Sequence, residues 1–412
     1  MIEKYYSGVI EQIYNRIGKE TRNIVMANYS NDFSIENLEV IRRYQSNEDN
    51  VFFAYSEFSY NTLVGAYEPF LDIICNMHRR FIGGSFDDFQ KECGVYYLHR
   101  QVLNSYYETG ECFREETVLL NEVAYEQRRM TMAIADMLKK LSEVKPLMIV
   151  INRFQMASKS SIETIKYLID NPCANIGIVL GVNALVRGTD STVEVWDRIV
   201  ESLEDRSAIY YIGSAGQLKN NIRDTSDDEL YITTNFEQSI QEASNIMEFL
   251  DYEQARRGCR IIEHKIKFEN AWIDEKSLRR FYLVYARTSV LLGEMSKEIE
   301  LMNEYKALIP ENDSEHYFSL YYFMKGTCYM YQGKLEKAEG CAKKAYDYAL
   351  LADDELLEFK SELLSVMIKM SGWYNIFFCV QDIPVSDEII EKLIKHGYRN
   401  HLAHIYLSLI HI

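Results

Sequence analysis

The sequence predicts an α/β domain built on a parallel sheet, followed by an all-α helical solenoid, and three observations carry the prediction. Short apolar bursts alternate with helix-period segments through the first half of the chain. The most continuous burst, Leu147-Met148-Ile149-Val150-Ile151, follows Pro146 and precedes polar Asn152-Arg153, as suits a central strand covered on both faces. Beyond about residue 215 the β signals fade and paired helical patterns take over.

The elements follow in order. From Glu3 to Ile17 the apolar residues Tyr6, Val9, Ile10, Ile13, Tyr14 and Ile17 recur at helical spacing, and Gly18 supplies a C-cap. Asn23-Ile24-Val25-Met26-Ala27 reads as a strand, and Ile35, Leu38, Ile41 and Tyr44 return to helical period. Val51 to Tyr55 is a second strand, before a helical pattern from Tyr67 through Arg80. Ser161 to Ile169 reads as a helix, with further strands at Ile176–Gly181 and Ala208–Ile212. The predicted α/β domain spans 1–215, a linker 216–236, and helical repeats 237–406.

Composition narrows the function classes. Of 412 residues, 47% are hydrophobic and only 5 are proline, which describes an ordered, helix-rich chain. The net charge of −17 opposes a phosphate backbone, so no nucleic-acid partner is expected. Eight cysteines without a C-x-x-C pair or regular spacing read as reduced, mostly buried thiols. The N-terminus lacks a basic flank followed by an apolar core, and the run Ile176 to Val186 is too short to span a bilayer, so a cytoplasmic protein without a membrane partner is expected. The last six residues, Leu407-Ser408-Leu409-Ile410-His411-Ile412, back-translate to a string resembling the end of a transposase adapter used in library preparation. Residues 407–412 are therefore read as an artefact, with the natural protein expected to continue past Tyr406 into an output domain missing here.

In the second half Gly293, Gly333 and Gly372 are spaced by 40 and 39 residues, each near the turn expected between two apolar-periodic segments. The clearest unit is Tyr322, Gly326, Tyr329, Gly333, Leu335, Ala338 and Ala345, whose small residues permit close helix approach. This unit resembles a tetratricopeptide repeat, and the resemblance implies a helical array that binds a protein or a small effector. An irregular helical bundle is the alternative, because one unit alone matches well.

The first half resembles the P-loop-like domain of AAA-like signal-transducing (STAND) NTPases, the group that includes large LuxR-type regulators related to the maltose activator. The resemblance rests on Pro146 through Ile162, where Phe154, Gln155, Ala157, Ser161 and Ile162 fit the family pattern and Asn152 and Arg153 replace its two acids. Tyr55-Ser56-Glu57-Phe58 and Tyr67-Glu68-Pro69-Phe70 look like the segment the family places after its second strand.

A working P-loop needs G-x-x-x-x-G-K-[ST], so that backbone N–H groups wrap the phosphates, Lys neutralises them and the hydroxyl holds Mg²⁺. The matching stretch, Ala27-Asn28-Tyr29-Ser30-Asn31-Asp32-Phe33-Ser34, keeps only Ser34; Phe33 replaces the lysine and Asp32 opposes phosphate. Asn152 is a weak metal ligand and Arg153 is no base, while Ala184 stands where the family usually has an arginine. The resemblance therefore implies a pseudo-NTPase with a vestigial pocket of Asn28, Asp32, Phe33, Ser34, Asn152 and Arg153, no catalytic residues and no bound metal or cofactor. The alternative is an ATP-binding or ATP-hydrolysing regulator with unorthodox motifs, in which Arg153 supplies the phosphate-binding charge.

Other candidates are weaker. His396, His401 and His404 lack a nearby acid or thiol to complete a ligand set and read as surface histidines. Asp87-Asp88 and Glu115-Glu116 read as solvated faces, and Tyr321, Tyr322, Tyr329 and Tyr331 as solenoid core and rim. The expected protein is a non-catalytic, bacterial-type regulator, with a transcriptional or cyclic-nucleotide output absent from this chain.

Overall fold

A computed structural model describes residues 2–19, 23–28, 36, 38–46, 50–59, 63–114, 116, 118, 120–183, 186–187, 209–212, 223–224, 235–268, 272–312, 314–375 and 386–410. Helices dominate, with a parallel sheet in the N-terminal half and a helical region after it. Helix α1 (Ile2–Tyr14) buries Tyr6, Val9, Ile10 and Ile13, the stripe its periodicity announces, and Gly18 takes the positive φ of 82° that ends the segment.

Strand β1 (Asn23–Asn28) is followed by α2 (Glu39–Ser46) and β2 (Phe52–Glu57). Where the sequence suggests one helix there are four: α3 (Phe70–Met77), which passes into a π turn over His78–Ile82, then α4 (Phe86–Glu92), α5 (Tyr97–Thr109) and α6 (Val123–Val144). Strand β3 (Leu147–Asn152), α7 (Lys159–Asp170), β4 (Ile176–Asn183), β5 (Val186–Arg187), β6 (Ile209–Ile212) and β7 (Arg223–Asp224) complete the α/β part. Its main sheet runs β2-β3-β4-β1-β6, with every pairing parallel. All six residues of β3 are buried, as its unbroken apolar run requires in the middle of such a sheet. Helix α1 lies hard against β4: a Cβ on Gly177 would stand 2.7 Å from Ile13 Cγ2, so only glycine admits the helix there.

The chain divides into two compact units, Met1–Arg114 with Asn121–Lys265, and Glu115–Leu120 with Ile266–Ile412. Helix α8 (Phe236–Glu248) and most of α9 (Tyr252–Phe268) thus belong with the sheet, although their periodicity groups them with the later helices. Polar tethers hold them: Gln254 Nε2 donates to the Val64 carbonyl (3.0 Å), Arg114 Nη2 to the Glu248 carbonyl (2.7 Å), and the Cys112 N–H to Asn245 Oδ1 (2.9 Å).

The second unit contains α10 (Glu275–Leu291), α11 (Met295–Ala307), α12 (Glu315–Tyr331), α13 (Leu335–Leu351), α14 (Glu355–Asn375), α15 (Asp387–Lys395) and α16 (Arg399–Ile410). Helices α12 and α13 are antiparallel. Ser319 Oγ donates to the Ala345 carbonyl (2.8 Å), and nearer the turn Gly326 faces the Ala338 carbonyl at a spacing that leaves a Cβ only 3.4 Å. Gly293 and Gly333 occupy turns with φ of 78° and 71°. Gly372 lies in the last turn of α14, which continues to Asn375, and residues 376–385, between α14 and α15, lie outside the described residues. No helix among the described residues is long and apolar enough to cross a membrane.

Candidate functional site

Parallel pairing brings the carboxyl ends of the strands to one edge of the sheet, where open α/β sheets bind their ligands. Three neighbouring strands end there in asparagine. Asn28 on β1 pairs with Asn183 on β4, while Asn152 closes β3 opposite Glu57 on β2. Asn152 is buried, and its Oδ1 crowds the space beside Gly181, where a Cβ would also meet the Tyr6 hydroxyl at 3.3 Å. The amide therefore lies over β4 on the side covered by α1. Of the other predicted pocket residues, Asp32, Phe33 and Ser34 lie outside the described residues, as does Ala184, and Asn28 is described by its backbone alone.

Arg153 directly follows β3 in the left-handed conformation, φ 54° and ψ 39°. Its Nη1 lies 2.9 Å from Glu57 Oε1, and the Tyr55 hydroxyl donates to the other oxygen of the same carboxylate. Both charged side chains are largely buried, with 21% and 14% exposure. The expectation that Arg153 offers its charge to a phosphate thus meets a built-in competitor: the cation is matched by a carboxylate of the neighbouring strand. Nothing local in the sequence links Glu57 to Arg153, because the link depends on β2 lying beside β3.

The segment after Arg153 is structural. Phe154, Gln155, Ala157, Ser161 and Ile162 are all buried. Ser158 caps α7, accepting from the Ser161 N–H at 3.4 Å, and Ser161 Oγ donates to the Glu68 carbonyl (2.7 Å). Ser160 accepts from the Tyr67 N–H (3.0 Å) and gives its own N–H to Asp251 (3.1 Å). The N-terminus of α7 thus already holds a carboxylate of this chain, whose burial raises its pKa.

Two surface expectations are overturned. Glu116 is fully buried and accepts from both the backbone N–H of His401 and the His401 ring, each at 2.7 Å. His401 is itself only 4% exposed, and His396 stacks on Phe359 at 4.6 Å. The pairing of Glu116 with His401 removes both from solvent, which residue type alone does not announce. Asp87 and Asp88 do sit in an exposed network with Lys91 and Arg100.

The tyrosines of α12 carry a feature that their sequence spacing does not reveal. Lys325 Nζ lies 5.0 Å from the centre of the Tyr321 ring, Lys334 and Lys337 sit 6.0 and 5.9 Å from that of Tyr329, and Lys344 lies 5.1 Å from that of Tyr322. Tyr322 stacks in turn on Tyr348 of α13 at 5.7 Å. Tyr331 belongs to the same unit's packing, its hydroxyl accepting from the Leu120 N–H at 3.2 Å. Lysines 334, 337 and 344 recur at helical spacing on α13 and its cap, and no carboxylate of the described residues lies within ion-pair distance of them. In a chain of net charge −17, this strip is locally cationic and aromatic.

Comparison with protein-family models, with curated proteins and with solved structures finds no match for this chain.

Proposed function

We propose that this chain is a non-catalytic regulatory protein: a P-loop-like pseudo-NTPase platform joined to a tetratricopeptide-like helical solenoid that does the binding. The observation that carries the first half of this reading is the Arg153–Glu57 pair. It engages the one cation at the β3 strand end, and Asn152 offers no carboxylate to hold Mg²⁺. The second half rests on the antiparallel α12–α13 pair and its lysine–tyrosine strip, whose charge suits an acidic segment of a partner protein or an anionic effector. A protein in the cytoplasm belongs to the same proposal.

The test has two arms on the purified chain. Fluorescent ATP titrated with and without Mg²⁺ is expected to show no saturable binding, and phosphate release is expected to stay at background. Mg²⁺-dependent turnover abolished by Ser34→Ala would establish the ATPase alternative. In the second arm a glutamate-rich peptide is expected to bind the wild-type chain and to lose about tenfold or more in affinity to Lys337→Glu/Lys344→Glu. Unchanged affinity in that variant removes the strip from the proposal.

A further inference from the structure

A cleft of about 310 Å³ opens within the first compact unit, between the segment leading into α3, the end of α5 and helix α8. Its charged lining is entirely acidic: Glu68, Asp72 and Glu242, with no lysine, arginine or histidine. Tyr106, Ile246 and Phe249 supply an apolar wall, the two rings meeting edge to face at 5.5 Å. We propose that this cleft binds a small organic cation, an alkylammonium whose charged ends meet the carboxylates and whose methylenes lie against the aromatic wall.

Four features argue for that ligand class. Each carboxylate is held in place from within the unit: Glu68 accepts from the Gly65 N–H (2.9 Å), Asp72 from the Tyr106 hydroxyl (3.1 Å), and Glu242 from Gln238 Nε2 (3.0 Å). Neutral donors fix these groups without cancelling their charge, and no ion pair of the described residues engages any of the three. Burial raises the pKa of Glu68 and of Glu242, and the charges of Asp72 and Glu242 raise that of Glu68 further, so a cation entering the cleft relieves both desolvation and repulsion. The cleft lies at the small end of the range for small-molecule sites. Glu68 and Asp72 lie on the segment entering α3 and on α3 itself, and Glu242 lies on α8, so the lining takes its carboxylates from two separate elements, which suits an elongated cation.

Isothermal titration of the full chain with butane-1,4-diamine, against butane-1,4-diol as the neutral isostere, tests the site in about 0.15 M salt, where diffuse attraction to the acidic surface is screened. One saturable site for the diamine and none for the diol is expected, with affinity lowered about tenfold or more in Glu68→Gln and in Glu242→Gln. The exposed control Glu237→Gln is expected to bind as the wild type does. Equal binding of diamine and diol, no saturable diamine binding, or Gln variants that match the control would each overturn the proposal. The wild-type comparison of diamine with diol decides the matter even if a Gln variant fails to fold.

Discussion

In the first compact unit Arg153 closes on Glu57 and Arg129 on Glu126, whereas in the second Lys334, Lys337 and Lys344 rest against tyrosine rings. The same contrast runs through the interiors. His99 and Glu126 are buried together, Nε2 3.0 Å from Oε2, while Glu298 is fully buried beside the Cys328 thiol. The same thiol lies 3.6 Å from the Met295 carbonyl oxygen. At the end of β3 a cation is matched by a carboxylate of the neighbouring strand. On the α12–α13 pair lysines lie against tyrosine rings, and in the same unit Glu298 is buried beside the Cys328 thiol while Glu116 is paired with His401.

That contrast gives the two units opposite responses to pH. Burial lowers the pKa of His99 from 6.5 to about 4, so as pH falls the unfolded chain takes up this proton first. Stability from His99 is therefore full above about pH 6.5 and lost between there and 4, an effect of about 3 kcal/mol. Burial raises Glu298 from 4.5 to about 7, which reverses the sign: its contribution is full below about pH 4.5 and lost as pH rises through 7, again by about 3 kcal/mol. Urea unfolding across this range is expected to show a shallower acid loss for His99→Phe. Glu298→Gln is expected to be more stable than the wild type at about pH 8. If Glu298→Gln proves less stable there, the carboxyl is paired after all and the contrast between the units breaks.

Smaller effects sharpen the comparison. A double-mutant cycle on Arg153→Met and Glu57→Gln, read by denaturant unfolding, is expected to give a coupling of about 2 kcal/mol, because each single change strands a largely buried partner. A coupling near zero would return Arg153 to the pool of cations open to phosphate. Smallest is the difference between two glycines. Gly177→Ala drives a Cβ into the branched methyl of Ile13 at 2.7 Å and is expected to cost about 1–2 kcal/mol. Gly326→Ala meets the flexible end of Leu364 at 3.0 Å but also Cys341 Cβ at 3.3 Å and the Ala338 carbonyl at 3.4 Å, so crowding offsets the gain in helix propensity and thermal unfolding is expected to show a cost of about 0.5–1 kcal/mol, below that of Gly177→Ala.

Elements with a strong local apolar pattern, a helical stripe or an unbroken apolar run, were legible in the sequence. Helix α1 and strands β2 and β3 lie within a residue or two of where their patterns place them, and the glycine turns at 293 and 333 are real. The helices α4 to α6 were not foreseen, although Ser85 does cap α4 by accepting from Asp88 N–H at 3.3 Å. Of the predicted pocket, Asn152 and Arg153 do stand at the strand end, yet what they touch was hidden. Ser160 with Asp251, 91 residues apart, and Glu116 with His401, 285 apart, leave no local trace, since such pairs follow from how elements are brought together.

The sequence by itself determined where several strands and helices form, because hydrophobic period is a local property. Tertiary structure alone decided which charges are neutralised and which are left open. Strand adjacency put Glu57 beside Arg153, helix packing laid Lys337 and Lys344 of α13 against tyrosines of α12, and the close of α8 against the start of α3 gathered three carboxylates around one cleft. An ionic interaction depends on distance through space, which chain order does not encode.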